Sequence, residues 1–174
     1  MFLGLIPMAF AGVVEAPLPA GMAAALAPRR VALVVGVDQY DDATLNTLRF
    51  AAKDARDVEA ALLDPALGRF DEVSVLTGVV SRDEFWSAFS EATDSLERDD
   101  TFLLYFAGHG TLDWIGAEEA QLFLMPSDAI LSEARQSGIP LQSLEDALSD
   151  LRSRRRVLVL DTCHSGQGRS VYSE

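Results

Sequence analysis

Cysteine and histidine are almost missing from this chain: Cys163, His109 and His164 are all it has. A single cysteine cannot close an intrachain disulfide. Three such residues also fall short of the four ligands of a structural zinc site. Whatever Cys163 does, it does as a thiol. Basic residues are scarce as well, 14 against 27 acidic, for a net charge of -13. A surface of that sign repels phosphate backbones and argues against a nucleic-acid partner. The one basic run, Arg152 to Arg156 with Ser153 inside it, stands just before an apolar stretch. It reads as a solvated helix end, where cations suit the helix dipole.

The N-terminal stretch Met1–Val14 has no charged side chain, yet it is shorter than the roughly 20 apolar residues of a membrane span. Ala9-Phe10-Ala11 has the form of a signal-peptide cleavage site, but no Lys or Arg precedes the apolar core. A linker or pro-segment accounts for these residues equally well, so the compartment stays open between cytoplasmic and exported. Glu15 to Pro28 is rich in Ala, Pro and Gly and reads as a flexible lead-in. Residues 1–28 are therefore set apart from a single domain over 29–174, a length that suits one compact unit.

What the chain does have is apolar residues, 49% of the total, enough for a core. They come in short β-branched or aromatic runs alternating with helical spacing. Val31–Val37 and Thr101–Ala107 read as strands buried on both faces, as does Arg156–Leu160, and Glu72–Leu76 as a shorter strand. Leu45 to Leu63 has helical spacing, with Leu48, Ala51, Ala52, Ala55, Val58 and Leu62 on one face. Ser81 with Glu84 three residues on predicts a capping box that opens a helix through Phe85, Phe89 and Leu96. A hairpin is expected from Leu112–Trp114 and Gln121–Met125 around Gly116. A further helix is expected over Pro140–Leu151. Strands alternating with helices predict a three-layer α/β fold with a mostly parallel central sheet.

In such sheets, sites form beyond the C-terminal ends of the strands. Gly108-His109-Gly110 and Asp161 to Ser165 both follow apolar strands. A cysteine nucleophile needs a base or cation that keeps it as thiolate, backbone N–H donors for the developing oxyanion, and access to substrate. Cys163 is the candidate nucleophile and His109 the candidate acid/base partner, with the N–H groups of Gly110 and Cys163 as oxyanion donors. His164 is the weaker partner, because adjacent positions in a strand point apart. Taken singly, a lone Cys after a strand is usually a small buried hydrophobe and a His in a glycine turn is usually structural; the pattern gains meaning from the two together.

Tyr105-Phe-Ala-Gly-His-Gly110 and Leu160-Asp-Thr-Cys-His-Ser-Gly166 resemble the two catalytic motifs of the caspase-like cysteine peptidases (clan CD, peptidase C14), and look closest to bacterial metacaspase or orthocaspase relatives. The 54 positions from His109 to Cys163 agree with the roughly 50-residue interval of caspases. The resemblance extends to Ala32–Tyr40, to Leu48–Ala55 and to Leu122–Asp128, so it covers about Arg30 to Gly166. The animal-caspase signature Q-A-C-[RQG]-G is absent, which argues against that branch and against cleavage after aspartate. Ala107 stands where many metacaspases have Ser.

The resemblance implies a cysteine endopeptidase of the caspase–hemoglobinase fold with a Cys–His dyad. It implies Asp161 and Asp54 as carboxylates of the S1 pocket, which would select Arg or Lys at P1 of a protein or peptide substrate. It implies a small-subunit region completing the sheet, beyond the large-subunit portion present here, as a partner alongside any regulatory domain. The fourth strand is accordingly expected to be an open apolar edge. Arg169 in Gln167–Ser170 becomes a candidate autoprocessing site. The chemistry requires no cofactor; Ca²⁺ activation is a family trait, and Asp128 lies in a matching motif without an evident ligand set. The alternative is a catalytically silent caspase-like scaffold or adaptor, although both dyad residues are intact.

Overall fold

The computed structural model describes residues 27–114 and 120–164, without the side chains of Trp114, Cys163 and His164. The elements follow in the order β1 (Arg30–Val37), α1 (Ala51–Leu63), β2 (Glu72–Gly78), α2 (Arg82–Thr93), β3 (Thr101–Trp114), β4 (Ala120–Leu124), a short 3-10 turn (Leu131–Glu133), α3 (Ala134–Ser137), β5 (Ile139–Pro140), α4 (Leu141–Ser149) and β6 (Arg155–His164). The fold is the expected three-layer α/β arrangement: a mixed six-stranded sheet flanked by four helices. β1 pairs in parallel with β2 on one side and β3 on the other. β6 pairs in parallel with β3, while β4 and β5 continue antiparallel from the far end of β3.

Each face of the sheet has its own core, and the alternation of strand residues decides which. On one face Ala32 and Val34 of β1, with Tyr105 and Ala107 of β3, pack under Ala51 and Ala55 of α1. On the other, Val31, Leu33 and Val35 with Phe102, Leu104 and Phe106 meet Phe85 and Phe89 of α2 and Leu144 and Leu148 of α4. β1 is buried along all but its first residue because helices cover it from both sides. Gly36 lets α1 come this close: a Cβ there would lie 2.4 Å from the Ala51 carbonyl oxygen and 2.8 Å from Ala55 Cβ. α2 opens as the sequence predicts, with the Ser81 hydroxyl accepting from Glu84 N–H and the Glu84 carboxylate accepting from Ser81 N–H at 2.8 Å.

Three expectations need correction. The helix expected from Leu45 begins only at Ala51. The chain before it is held as a loop, since Leu45 N–H donates to Asp42 and Leu48 N–H to the Asp38 carbonyl, each at 2.9 Å. The third strand does not stop at Ala107 but runs on through Gly108-His109-Gly110 to Trp114. It continues because β6 pairs with it as far as Gly110, and β4 takes over from Gly110 to Trp114. The fourth strand likewise runs through Asp161 to His164 instead of ending at Leu160. The expected hairpin is present as β3 and β4, its Gly116 turn lying outside the described residues.

Of the basic run, Arg156 meets the helix end, whereas Arg152 pairs with Glu97 and Arg155 donates to the Asp99 carbonyl. The Arg156 guanidinium donates to the carbonyls of Leu148 and Ser149 in the last turn of α4, at 2.7 Å each. Among the described residues β6 pairs only with β3, and Val157 and Val159 are about two-fifths exposed at 42% and 39%.

Candidate active site

The chain leaves β1 toward β2 through α1 on one face, then returns past β1 to β3 through α2 on the other. The C-terminal ends of β1 and β3 therefore bound the crevice where ligands bind in open α/β sheets. His109 lies beside that crevice on β3, inside the strand instead of after it. Its register partner on β6 is Cys163, while Gly110 pairs with His164. Strand pairing alone therefore brings the two candidate dyad positions side by side.

The imidazole is held on three sides. Its Nε2 lies 2.8 Å from the carbonyl oxygen of Asn46. A carbonyl can only accept, so Nε2 carries the hydrogen and in the neutral ring Nδ1 keeps its lone pair. Nδ1 is buried and has no hydrogen-bond partner among the described residues. A free basic nitrogen on an anchored ring is what an acid/base group needs. Tyr40 supplies the remaining support. Its hydroxyl accepts from the His109 N–H at 2.9 Å and donates to the Val37 carbonyl at 3.0 Å. Its ring lies against the imidazole with centroids 4.8 Å apart. Burial pushes the Tyr40 phenol up to about 12; the bond from His109 N–H opposes this and the nearby Asp38 charge adds to it. Gly108 makes room for this hydroxyl, since a Cβ there would come within 3.1 Å of it.

Asp161 and Asp54 approach one side chain, Tyr105. The Tyr105 hydroxyl donates to Asp161 Oδ2 at 3.3 Å. Burial pushes the Tyr105 phenol up to about 12, with the Asp161 charge, the hydrogen bond to it and the Asp54 charge adding to the shift. Asp54 stands in the first turn of α1, half-buried, next to Ala55 in the core under that helix. Asp161 is exposed on β6, beside Ala107 of β3. Two carboxylates beside one phenol can hold a cationic side chain.

Gly110 lies where β3 passes from β6 to β4, and a Cβ there would come within 3.2 Å of Thr162. Arg169 lies outside the described residues. Asp128 lies by a cavity of ≈ 520 Å³ lined by Asp41, Asp42, Ala43, Ala129 and Ile130. Its Oδ1 accepts from Arg82 N–H at 2.9 Å, and the Asp42 carboxylate accepts from Leu131 N–H and from both donors of Thr44. These carboxylates are engaged in tying loops together, and among the described residues no three His, Cys, Asp or Glu gather as metal ligands.

The profile of the caspase domain, peptidase family C14, matches residues 29–173. The chain belongs to the caspase-domain family. The crystal structure of protein GSU0716 from Geobacter sulfurreducens is similar in fold, with a TM-score of 0.60 and 21% identity. The match covers 80% of this chain and 52% of that one, so the caspase domain described here spans about half the length of that protein. No curated protein matches the chain significantly. Among the described residues no helix is long and apolar enough to cross a membrane.

Three contributors escaped the sequence reading. Asn46 acts through its main-chain carbonyl, which no residue type advertises. Tyr40 and Tyr105 lie within or beside apolar runs, where an aromatic residue reads as core; their polar tips are the only signal.

Proposed function

We propose that the chain is the large-subunit portion of a metacaspase-type cysteine endopeptidase that cleaves after Arg or Lys. The carrying observation is the pairing of His109 with Cys163 across β3 and β6, with His109 Nε2 anchored and Nδ1 unpartnered. In this reading Nδ1 takes the Cys163 thiol proton, and the thiolate sulfur bonds to the scissile carbonyl carbon. The main-chain N–H groups of Gly110 and Cys163 stabilise the oxyanion. The carbon–nitrogen bond then breaks as His109 returns the proton to the leaving amine. Water, deprotonated by the same imidazole, hydrolyses the thioester and frees the thiol. Asp54 and Asp161 hold the P1 cation, which the convergence of both charges on Tyr105 supports.

The far edge of β6, unpaired among the described residues, supports a partner region that completes the sheet, and Arg169 is the cleavage point that would separate the two. A metacaspase-type enzyme of this kind would be tested with and without calcium.

The test uses fluorogenic peptides with Arg, Lys or Asp at P1, on the chain alone and on a version extended past Glu174. Turnover of the Arg and Lys peptides, lost in Cys163→Ala and in His109→Ala, is expected. Cleavage after Asp would keep the peptidase and remove the roles of Asp54 and Asp161. No turnover by any version, with Cys163 inert to iodoacetamide, would overturn the peptidase reading in favour of a scaffold.

A further inference from the structure

We propose that Tyr105 is a specificity-determining residue: its hydroxyl forms the third polar wall of the acidic pocket and makes the pocket prefer arginine to lysine at P1. The inference rests on the proposed roles of Asp54 and Asp161 and adds a residue to them.

The geometry comes from the strand pairing. Ala107 of β3 is the register partner of Asp161, and Tyr105 lies two residues earlier, on the same face of the sheet. The methyl group of Ala107 fills little of the space above the strand. The phenol extends beside it with its ring in the core under α1 and its hydroxyl against Asp161 Oδ2. The side chain is 7% exposed, so the hydroxyl is a fixed feature of the pocket and not a swinging surface group.

A hydroxyl that donates its one proton to a carboxylate can use its own oxygen only as an acceptor. Toward an incoming cation Tyr105 therefore acts with the two carboxylates, adding an acceptor without adding charge. It also orients the Asp161 carboxylate, which is otherwise exposed and free to rotate. A guanidinium presents five N–H donors in a rigid planar fork and gains from several acceptors fixed in different directions. An ammonium has three donors on a rotatable head and is satisfied by whichever acceptors are nearest. Removing the hydroxyl costs the guanidinium more.

The test compares wild type and Tyr105→Phe on peptides differing only in Arg or Lys at P1. The variant is expected to lose about tenfold in kcat/KM for Arg, through KM, and no more than about threefold for Lys, on the scale of one hydrogen bond to a charged group. The rate of Cys163 alkylation by iodoacetamide should stay at the wild-type value, because the hydroxyl does not touch the dyad. An Arg-to-Lys ratio unchanged within about twofold, in a folded variant of a wild type that cleaves basic peptides, overturns this inference alone. A wild type that ignores basic P1 residues overturns the pocket reading and this inference with it. A measurement on wild type guards against a variant that does not fold. Agmatine should inhibit more tightly than butylamine and should shift the tyrosine absorbance on binding; equal inhibition by both with no spectral change overturns the proposal.

Discussion

Replacing Tyr40 with Phe removes one oxygen atom and keeps the ring that packs on His109. The hydroxyl is the acceptor for the His109 N–H at 2.9 Å and the donor to the Val37 carbonyl at 3.0 Å. His109 is 6% exposed and Val37 fully buried, so water cannot readily replace either partner. A buried polar group left without its partner costs about 1–3 kcal/mol. A protein of this size shifts its midpoint by about 2–4 °C per kcal/mol, so Tyr40→Phe should melt roughly 2–12 °C below wild type. The second effect is on chemistry. His109 would keep its side-chain bond to Asn46 and the bond its carbonyl accepts from Met125 N–H, but lose the anchor of its own N–H, so the imidazole becomes less well aimed. Peptide turnover should fall in kcat with little change in KM, because the hydroxyl is turned to the backbone and not to the P1 pocket. Thermal melting followed by circular dichroism reads the first effect and steady-state kinetics the second. An unchanged melting midpoint would refute the assignment of this hydroxyl as the buried partner. A change in KM alone would refute the claim that it acts through His109.

Gly36→Ala should destabilise by about 1–3 kcal/mol, as overpacking against the Ala51 carbonyl forces α1 away from the sheet; denaturant unfolding measures it, and the accompanying movement of Asp54 should raise KM for an Arg peptide. Asp100 is nearly buried at 4% exposed, and burial alone would raise its pKa. The N–H groups of Glu97 and Arg29 and the Arg29 guanidinium outweigh that and hold the carboxyl below its usual range. A depressed carboxylate stabilises the fold above its unfolded value and stops doing so as pH falls through its folded value. The melting difference between wild type and Asp100→Asn should therefore be present at pH 7 and shrink below about pH 4. Tyr40 and Tyr105 titrate at about 12 against an ordinary value of about 10, so their contribution to stability holds below about pH 10 and is lost as pH rises toward about 12. Absorbance at alkaline pH should show no more than one of the three tyrosines ionised while the protein remains folded.

The fold was legible where local chemistry and burial agree. The β-branched run of β1, the Ser81–Glu84 capping box and the apolar spacing of α2 and α4 each state their structure in a few residues. The ends of β3 and β6 were not legible, because glycine and aspartate are poor strand formers by themselves. There the ladder between the two strands overrides propensity, and a ladder joins residues more than fifty positions apart. The start of α1 was misread for the opposite reason. Leu45 and Leu48 fit the helical spacing, yet they are held by bonds to Asp42 and Asp38 in a loop. For the candidate site, side-chain identity pointed to His109, Cys163, Asp54 and Asp161. It gave no access to a carbonyl at Asn46 or to hydroxyls at the ends of Tyr40 and Tyr105, whose roles depend on what stands opposite them.

The segment between β1 and the first turn of α1 supplies Tyr40 and Asn46 to the histidine and, in the proposed function, Asp54 to the acidic pocket, and Gly36 fixes where its far end rests. Reactivity and selectivity are thus wired through a single short connection. Such an arrangement limits how the domain can diversify. A change of side chain at position 54 can retune the pocket while leaving the backbone path, and with it the histidine, untouched. A change of length between Asn46 and Ala51 would alter both at once. With those proposed roles, substitution at position 54 would be the way to new substrate preferences, whereas insertions in this connection would disable the base as well.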